Sequence, residues 1–309
     1  MNGGGVLDVR RLRVLHELSL RGTVAAVAAA VHQSPSAVSQ QLSQLQREAG
    51  VVLLRRVGRG VQLTAQGELL ARHAGVVLDA LRQAEWELAA SLESVTGTVR
   101  LAVFQSAALA LLPATLSMLA VRHPQLRVTV SQREPESALY ATWAREFDLV
   151  VAEQYPGHAA PRHPELDRVD LVSDELRLAV PWHGLPWGEV TSLADTARAP
   201  WVMEPRGVAS RHFAENLCRQ AGFEPDVRFE TADLQAQIRL VESGNAVAIL
   251  PDLLWAGREP SVVLRPLEGA PLRTVFTSVR EAAAGQPAIV ACREALARAA
   301  SSNEAATSG

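Results

Sequence analysis

The sequence predicts an α/β chain in three parts: a short helical head closed by a basic hairpin, one long helix, and a longer stretch of strands alternating with helices. Three observations carry this. Up to Gly50 apolar residues recur at helical spacing between capping residues and glycines. No proline interrupts residues 65–94. From Thr98 onward, short apolar runs alternate with amphipathic ones, the pattern of a largely parallel α/β fold. The 309 residues leave room for roughly two domains.

Composition narrows the class. With 48% hydrophobic and 20% charged residues the chain suits a packed globular protein and not a disordered one. No apolar run is expected to reach the ~18 residues a bilayer span needs, and no signal core is expected, so the expectation is no membrane partner and a cytoplasmic location. Two cysteines, Cys218 and Cys292, are too few for a disulfide framework and read as buried thiols. No metal site or cofactor is expected. All 30 basic residues are arginine, which a GC-rich coding bias explains. The net charge of −3 hides an asymmetry: eight arginines against three acidic residues give the first 65 residues +5, so the remainder carries −8. A basic head on an acidic body points to a polyanion as the partner of the head.

The head reads as follows. Asp8 to Leu20 forms a first helix stopped at Arg21-Gly22. Thr23 caps a short Ala/Val-rich helix, Val24 to Val31. In VHQSPSAVSQQLSQLQREAG, Ser34 caps a third helix, Pro35 opens it and Gly50 ends it. Val38, Leu42 and Leu45 form its apolar stripe, leaving Ser36, Ser39, Gln40, Ser43 and Gln44 on the other face. Short hydroxyl and amide side chains on such a helix both donate and accept hydrogen bonds to base edges, as a helix-turn-helix recognition helix does. Val51 to Leu54 and Val61 to Leu63 read as strands flanking a basic turn, Arg55-Arg56-Val57-Gly58-Arg59-Gly60, suited to phosphate or the minor groove.

Gly22-Thr23 with the alanine-rich helix after it, SPSAVSQQLSQLQREAGVVLLRR and GRGVQLTAQG together resemble the winged helix-turn-helix of LysR-type transcriptional regulators. Departures are Gln33, where an aliphatic residue is usual, and Ala49, where Leu is common. The resemblance implies sequence-specific binding of double-stranded promoter DNA, with Thr23, Ser34, Ser36, Ala37, Ser39, Gln40, Gln41, Ser43, Gln44, Arg55, Arg56 and Arg59 as the residues against it.

Thr64 caps a long helix running from Ala65 to about Ser94. Leu70, Ala74, Val77, Leu81, Ala84, Leu88, Ser91 and Val95 alternate steps of four and three, the seam of a two-helix contact. The same seam also suits packing against the chain's own domain, where Trp86 lies off it; the resemblance favours a homodimer or homotetramer through Leu70, Val77, Leu81 and Leu88, with two-fold symmetry matching two DNA half-sites.

Strands follow at Val99 to Phe104, Leu126 to Ser131, Asp148 to Val151, Glu175 to Val180, Trp201 to Met203, Val227 to Glu230, Ala246 to Leu250 and Arg273 to Val279. Helices are predicted from Ser106 to Arg122, Pro135 to Arg145, Ser210 to Ala221, Ala232 to Ser243 and Pro287 to Ala299. LLP at 111–113, FDLVV at 147–151, AGFEPDVRFE at 221–230 and GNAVAILP at 244–251 resemble the effector-binding region of the same family, which is similar to periplasmic substrate-binding proteins. Asn245 and Phe147 depart from its pattern. The implied division is a winged helix-turn-helix over 1–63, a linker helix over 64–95, subdomain I over 98–170 plus 267–300, subdomain II over 171–266, and a disordered tail over 301–309.

In open α/β sheets ligands bind at strand carboxyl ends, beside helix N-termini. That places Gln105-Ser106, Glu204 to Ser210 and Thr231 to Asp233 around a cleft, and the resemblance adds Gln132 and Arg133. The residues expected against a small-molecule effector are therefore Gln105, Ser106, Gln132, Arg133, Glu204, Pro205, Arg206, Gly207, Val208 and Thr231. Ser106 and Ser210 also read as plain N-caps. Arg206 beside a helix N-terminus favours a carboxylate-bearing ligand, and Glu204 opposes it.

No nucleophile elbow, H-E-x-x-H, G-x-G-x-x-G or P-loop occurs, and His158 and His163 sit in a Pro/Gly loop at no metal-binding spacing, so no enzyme is expected. The sequence is expected to encode a DNA-binding regulator that responds to a small effector, with RNA polymerase as a further partner. The alternatives are a solute-binding module and a DNA-binding protein without an effector.

Overall fold

A computed structural model describes residues 7–57, 60–90 and 95–307, with the backbone alone at 82–83, 85–90 and 304–307. It divides into two compact units, residues 1–88 and 89–309.

The first unit opens with α1 (Val9–Arg21), capped by the Asp8 carboxylate and ended by Gly22 at φ 72°. The Thr23 hydroxyl accepts from Ala26 N to start α2 (Val24–Ala30). The Ser34 hydroxyl accepts from Ala37 N to start α3 (Pro35–Ala49), which Gly50 ends in the left-handed region. These caps satisfy amide groups that a helix end otherwise leaves unbonded. Strands β1 (Leu54–Val57) and β2 (Gly60–Leu63) pair antiparallel, Arg55 opposite Gln62. The first strand thus begins later than the predicted Val51 to Leu54, because Gln46 Oε1 accepts from the amides of Leu53 and Leu54 and holds that turn on α3. Helix α4 (Ala65–Ala90) follows. Leu15, Val27, Val38, Leu42, Leu45 and Leu53 form the core, and α4 completes it with Ala71 and Ala74. A Cβ on Gly67 would lie 2.1 Å from the carbonyl oxygen of Leu53, so only glycine lets α4 start this close to the hairpin.

The second unit starts with β3 (Gly97–Val103), α5 (Gln105–Arg122), β4 (Leu126–Gln132), α6 (Pro135–Trp143) and β5 (Leu149–Gln154). The long strand β6 (Val169–Val180) leads to β7 (Pro200–Met203), α7 (Ala209–Gln220), β8 (Asp226–Glu230), α8 (Leu234–Glu242) and β9 (Ala248–Pro251). After β10 (Val263–Pro266), β11 (Leu272–Ser278) returns and α9 (Pro287–Thr307) closes the chain. The main sheet has the order β10-β6-β11-β5-β3-β4, with β9 also on β6. Its β3 pairs parallel with β4 and β5, whereas every pairing of β6 and β11 is antiparallel, so the sheet is mixed and not largely parallel. Strand β6 explains how. Its first half pairs with β11, and Leu176 to Val180 pairs with β9 and β10, so one strand serves two lobes. A separate parallel pair, β7-β8, bridges to Val247.

Three expectations change here. Helix α9 continues to Thr307 where a disordered tail from 301 was expected, and Asn303 Nδ2 donates to the carbonyl of Ala110 on α5 at 3.2 Å. Strand β10 and the first half of β6 were not predicted. By length and composition α5 is long enough and apolar enough to cross a bilayer, where no run of that length was expected. It carries Pro113, packs on α9, and buries Ser106, Ala107, Leu111, Thr115 and Leu119.

Candidate DNA interface and ligand cleft

The DNA candidate is built on α3. Burial of Val38, Leu42 and Leu45 turns Ser36, Ser39, Gln40 and Ser43 outward as exposed residues, while Ala37, Gln41 and Gln44 are half-buried at the edge of that face. Hydrogen bonds within the head occupy most of these polar groups. Gln41 Nε2 donates to Gln33 Oε1 at 2.6 Å, so the unusual Gln33 is exposed and serves Gln41. The Ser34 and Ser36 hydroxyls share a bond of 2.9 Å, and Ser43 Oγ donates to the Ser39 carbonyl. Gln44 donates to Glu48 and accepts from Arg47. The side chain of Gln40 makes no hydrogen bond among the described residues, and neither does that of Arg56 on β1. Arg55 donates to Gln62 Oε1 at 3.0 Å. Thr23 is exposed and capping α2; Arg59 lies outside the described residues.

The linker seam divides. Ala74 is buried and Leu70 is half-buried against the core of its own head, whereas Val77 and Leu81 are exposed. Leu70 packs on the core of its own head, because α4 uses its first turns to close that head. The side chain of Leu88 is outside the described residues.

The cleft lies within the second unit, at the carboxyl ends of β3 and β7. A cavity of ≈ 40 Å³ is lined by Gln105, Ser106, Glu134, Glu153, Tyr155 and Glu204, among others, with Arg273. A neighbour of ≈ 60 Å³ shares Glu134, Glu153 and Ser210 with it. Of the residues expected against a ligand, Gln105, Ser106 and Glu204 line the first cavity, and Gly207 and Val208 line the second. Gln132, Arg133, Pro205, Arg206 and Thr231 line neither. Arg206 is exposed, so the anchor expected for a carboxylate-bearing ligand is not in the cleft. Thr231 acts one step back: its hydroxyl accepts from Asp233 N, and its carbonyl accepts from Gln237 Nε2.

Ser106 and Ser210 do not cap their helices. The N-caps of α5 and α7 are Phe104 and Val208, with no side-chain hydrogen bond. Ser106 is fully buried and its Oγ accepts from Arg273 Nη2 at 2.8 Å, and Ser210 Oγ donates to Glu204.

Arg273 organises the floor of the cleft. It is 1% exposed and stands between Asp174, at 2.8 Å from its Nε, and the carboxylate of Glu153. Burial alone would lower its pKa, but the two carboxylates outweigh that and raise it. Desolvation pushes Glu153 and Glu134 upward and takes Glu204 to about 7, a shift that the neighbouring Glu153 and Glu134 reinforce. Arg273, Glu134, Glu153, Tyr155 and Gln237 line the cavity without having been expected there from the sequence. One signal was available: an arginine at the head of the apolar run Arg273 to Val279 is a charge in a strand that buries both faces.

The match to known families decides the lineage. Residues 9–68 match the model described as bacterial regulatory helix-turn-helix protein, lysR family, and residues 92–301 match the LysR substrate binding domain. The chain belongs to the LysR family. It is a transcriptional regulator with a helix-turn-helix for DNA and a domain for a small effector. This LysR-family chain is 28% identical over 264 residues to the transcriptional dual regulator GltC of Bacillus subtilis, covering 85% of this chain and 87% of GltC. It is 26% identical to the regulator TcbR of Pseudomonas sp. strain P51, covering 85% and 89%. Among solved structures it is similar to a cysteine-to-aspartate variant of full-length OxyR from Pseudomonas aeruginosa, at TM-score 0.65, 18% identity, and coverage of 94% and 98%. It is also similar to full-length CbnR in complex with its target DNA, at TM-score 0.52, 24% identity, and coverage of 95% and 99%. These two likenesses bear on the fold of the LysR-family chain.

Proposed function

We propose that this regulator docks α3 in the major groove of promoter DNA, with Gln40 reading base edges and Arg56 holding phosphate. The observation that carries this is the outward face of α3, where Gln40 is exposed with its amide free for both donation and acceptance, beside an exposed arginine on the hairpin. Ser36, Ser39 and Ser43 flank Gln40; Thr23, Ser34, Ala37, Gln41, Gln44, Arg55 and Arg59 frame it. Two copies joined by the exposed part of α4 present two such faces to two half-sites, as a homodimer or a homotetramer.

The cleft of the second unit holds the effector, in subdomains that exchange at β6 and at the β10–β11 connection. Occupancy shifts the population of lobe arrangements and so the arrangement of the paired heads. RNA polymerase is the downstream partner, the cytoplasm the location, and no reaction is catalysed. OxyR is among the similar structures, but thiol chemistry does not suit this chain. Cys218 and Cys292 are both buried, and burial pushes each thiol up to about 12, which works against forming the thiolate.

The test is a footprint of the DNA upstream of the chain's own coding sequence with the purified full-length protein. Protection of a two-fold-related pair of sites is expected. Protection that is uniform along the fragment would favour a non-specific DNA binder.

A further inference from the structure

We propose that the effector of this cleft is a small organic cation, a primary amine on a short methylene chain, and not a carboxylate. The inference rests on reading the cleft as the effector site and adds the charge of what enters it.

Charge balance comes first. Glu134, Glu153 and Glu204 line the cavity with two arginines, and both arginines are committed elsewhere. Arg273 is held by Asp174 and Glu153. Arg211 pairs with Glu215 at 2.6 Å and Glu230 at 3.6 Å, and donates to the Glu204 carbonyl. The Glu134 carboxylate accepts no hydrogen bond among the described residues, and that of Glu204 receives only the Ser210 hydroxyl. An anionic ligand would have to displace internal carboxylates to reach a guanidinium. A cation meets acceptors that are already waiting.

A second observation is independent of the carboxylates. Gln237 lines the same cavity and is 2% exposed. Its Nε2 donates to the Thr231 carbonyl at 3.0 Å, which fixes the orientation of the amide, and its Oε1 accepts no hydrogen bond. The acceptor is thus left open to the cavity, and an ammonium group with three N–H donors supplies the donor it lacks.

The opposing feature is weaker. The N-termini of α5 and α7 reach the cavities without side-chain caps, but each amounts to about half a charge, against whole carboxylates. Cavities of ≈ 40 and ≈ 60 Å³ suit a compact ammonium head, and Met203, Leu234 and Ile249 offer walls for methylenes.

The experiment is calorimetric titration of the full-length chain at pH 8 with putrescine and cadaverine, against adipate and pimelate, which carry the same numbers of methylenes between their charged ends. The amines should bind at least tenfold more tightly than the dicarboxylates, and Glu204→Gln should weaken them at least tenfold. Glu134→Gln, at an exposed position on the lip of the cleft, tests the same point where Glu204→Gln fails to fold. Tighter binding of the dicarboxylates, no heat from either amine at millimolar concentration, or unchanged amine affinity in the folded variants would overturn the proposal. Specific DNA binding by the same preparation separates the two readings. Its retention without amine binding sinks the cation alone, and its absence sinks the proposed function.

Discussion

Gln105, at the start of α5, clasps the start of α8 more than a hundred residues away: its Oε1 accepts from Leu234 N at 2.8 Å while its Nε2 donates to Asp233 Oδ1 at 2.9 Å. One amide thus caps a helix of the opposite lobe and closes one side of the cleft. Hydrogen bonding holds the Asp233 carboxyl below its usual range, with the Gln105 amide as the largest contributor. Replacing Gln105 by Ala removes two hydrogen bonds, one of them charge-assisted, at a cost of about 2 kcal/mol. Thermal unfolding of Gln105→Ala should show Tm lowered by several degrees. An unchanged Tm would mean that the clasp contributes nothing.

Arg273 is the buried charge on which the floor of the cleft depends. Removing it leaves Asp174 and Glu153 facing each other unpaired, and breaking a buried ion pair by deleting one partner costs about 3–5 kcal/mol. Arg273→Met should therefore lower the unfolding free energy extrapolated from urea titration by that amount. Arg273→Lys, which keeps the charge and loses the fork, should lose less.

Glu204 gives the fold a pH dependence with a definite sign. Its carboxyl sits at about 7 when folded against 4.5 when free, so the folded state binds the proton more tightly. The associated stability is fully present below pH 4.5 and is lost as pH rises through 7, by at most about 3 kcal/mol. Comparing Tm at pH 5.5 and pH 8, Glu204→Gln should show a smaller fall than the parent chain. An equal fall in both would assign the dependence to other groups.

The head was legible because its signals are local. Thr23, Ser34 and Gly50 announce their roles within four residues of where they act, and the stripe of Val38, Leu42 and Leu45 needs only helical spacing. The cleft was legible only where strand ends place it. Gln105, Ser106 and Glu204 were found that way, while Arg273 and its partners are joined by pairings such as Arg273 with Asp174, which no local pattern encodes. Ser106 and Ser210 show the limit of cap rules: both stand near helix starts, yet a guanidinium and a carboxylate outcompete the backbone for their hydroxyls. Strand β10 was missed because Val263 to Pro266 is short and lies at a sheet edge. The first half of β6 was missed because Asp170, Ser173 and Asp174 break its apolar pattern.

The split seam of α4 makes a prediction about assembly. Val77 and Leu81 are 39% and 44% exposed, beside Val76 at 66%, and this row is the part of α4 left for a second copy. Val77→Glu with Leu81→Glu should convert the dimer to monomer in analytical ultracentrifugation and weaken DNA binding by at least tenfold. Leu70→Ala should instead lower Tm with the oligomeric state retained, since Leu70 packs on its own head.

In the proposed complex α3 reads sequence while the hairpin holds phosphate. Fluorescence anisotropy of Gln40→Ala and Arg56→Ala, on the footprinted site and on random DNA over a salt series, separates the two roles. Gln40→Ala should lose about 1–3 kcal/mol on the cognate site and little on random DNA. Arg56→Ala should weaken both and reduce the salt slope by about one. Equal losses on cognate and random DNA for Gln40→Ala would remove Gln40 as a base reader.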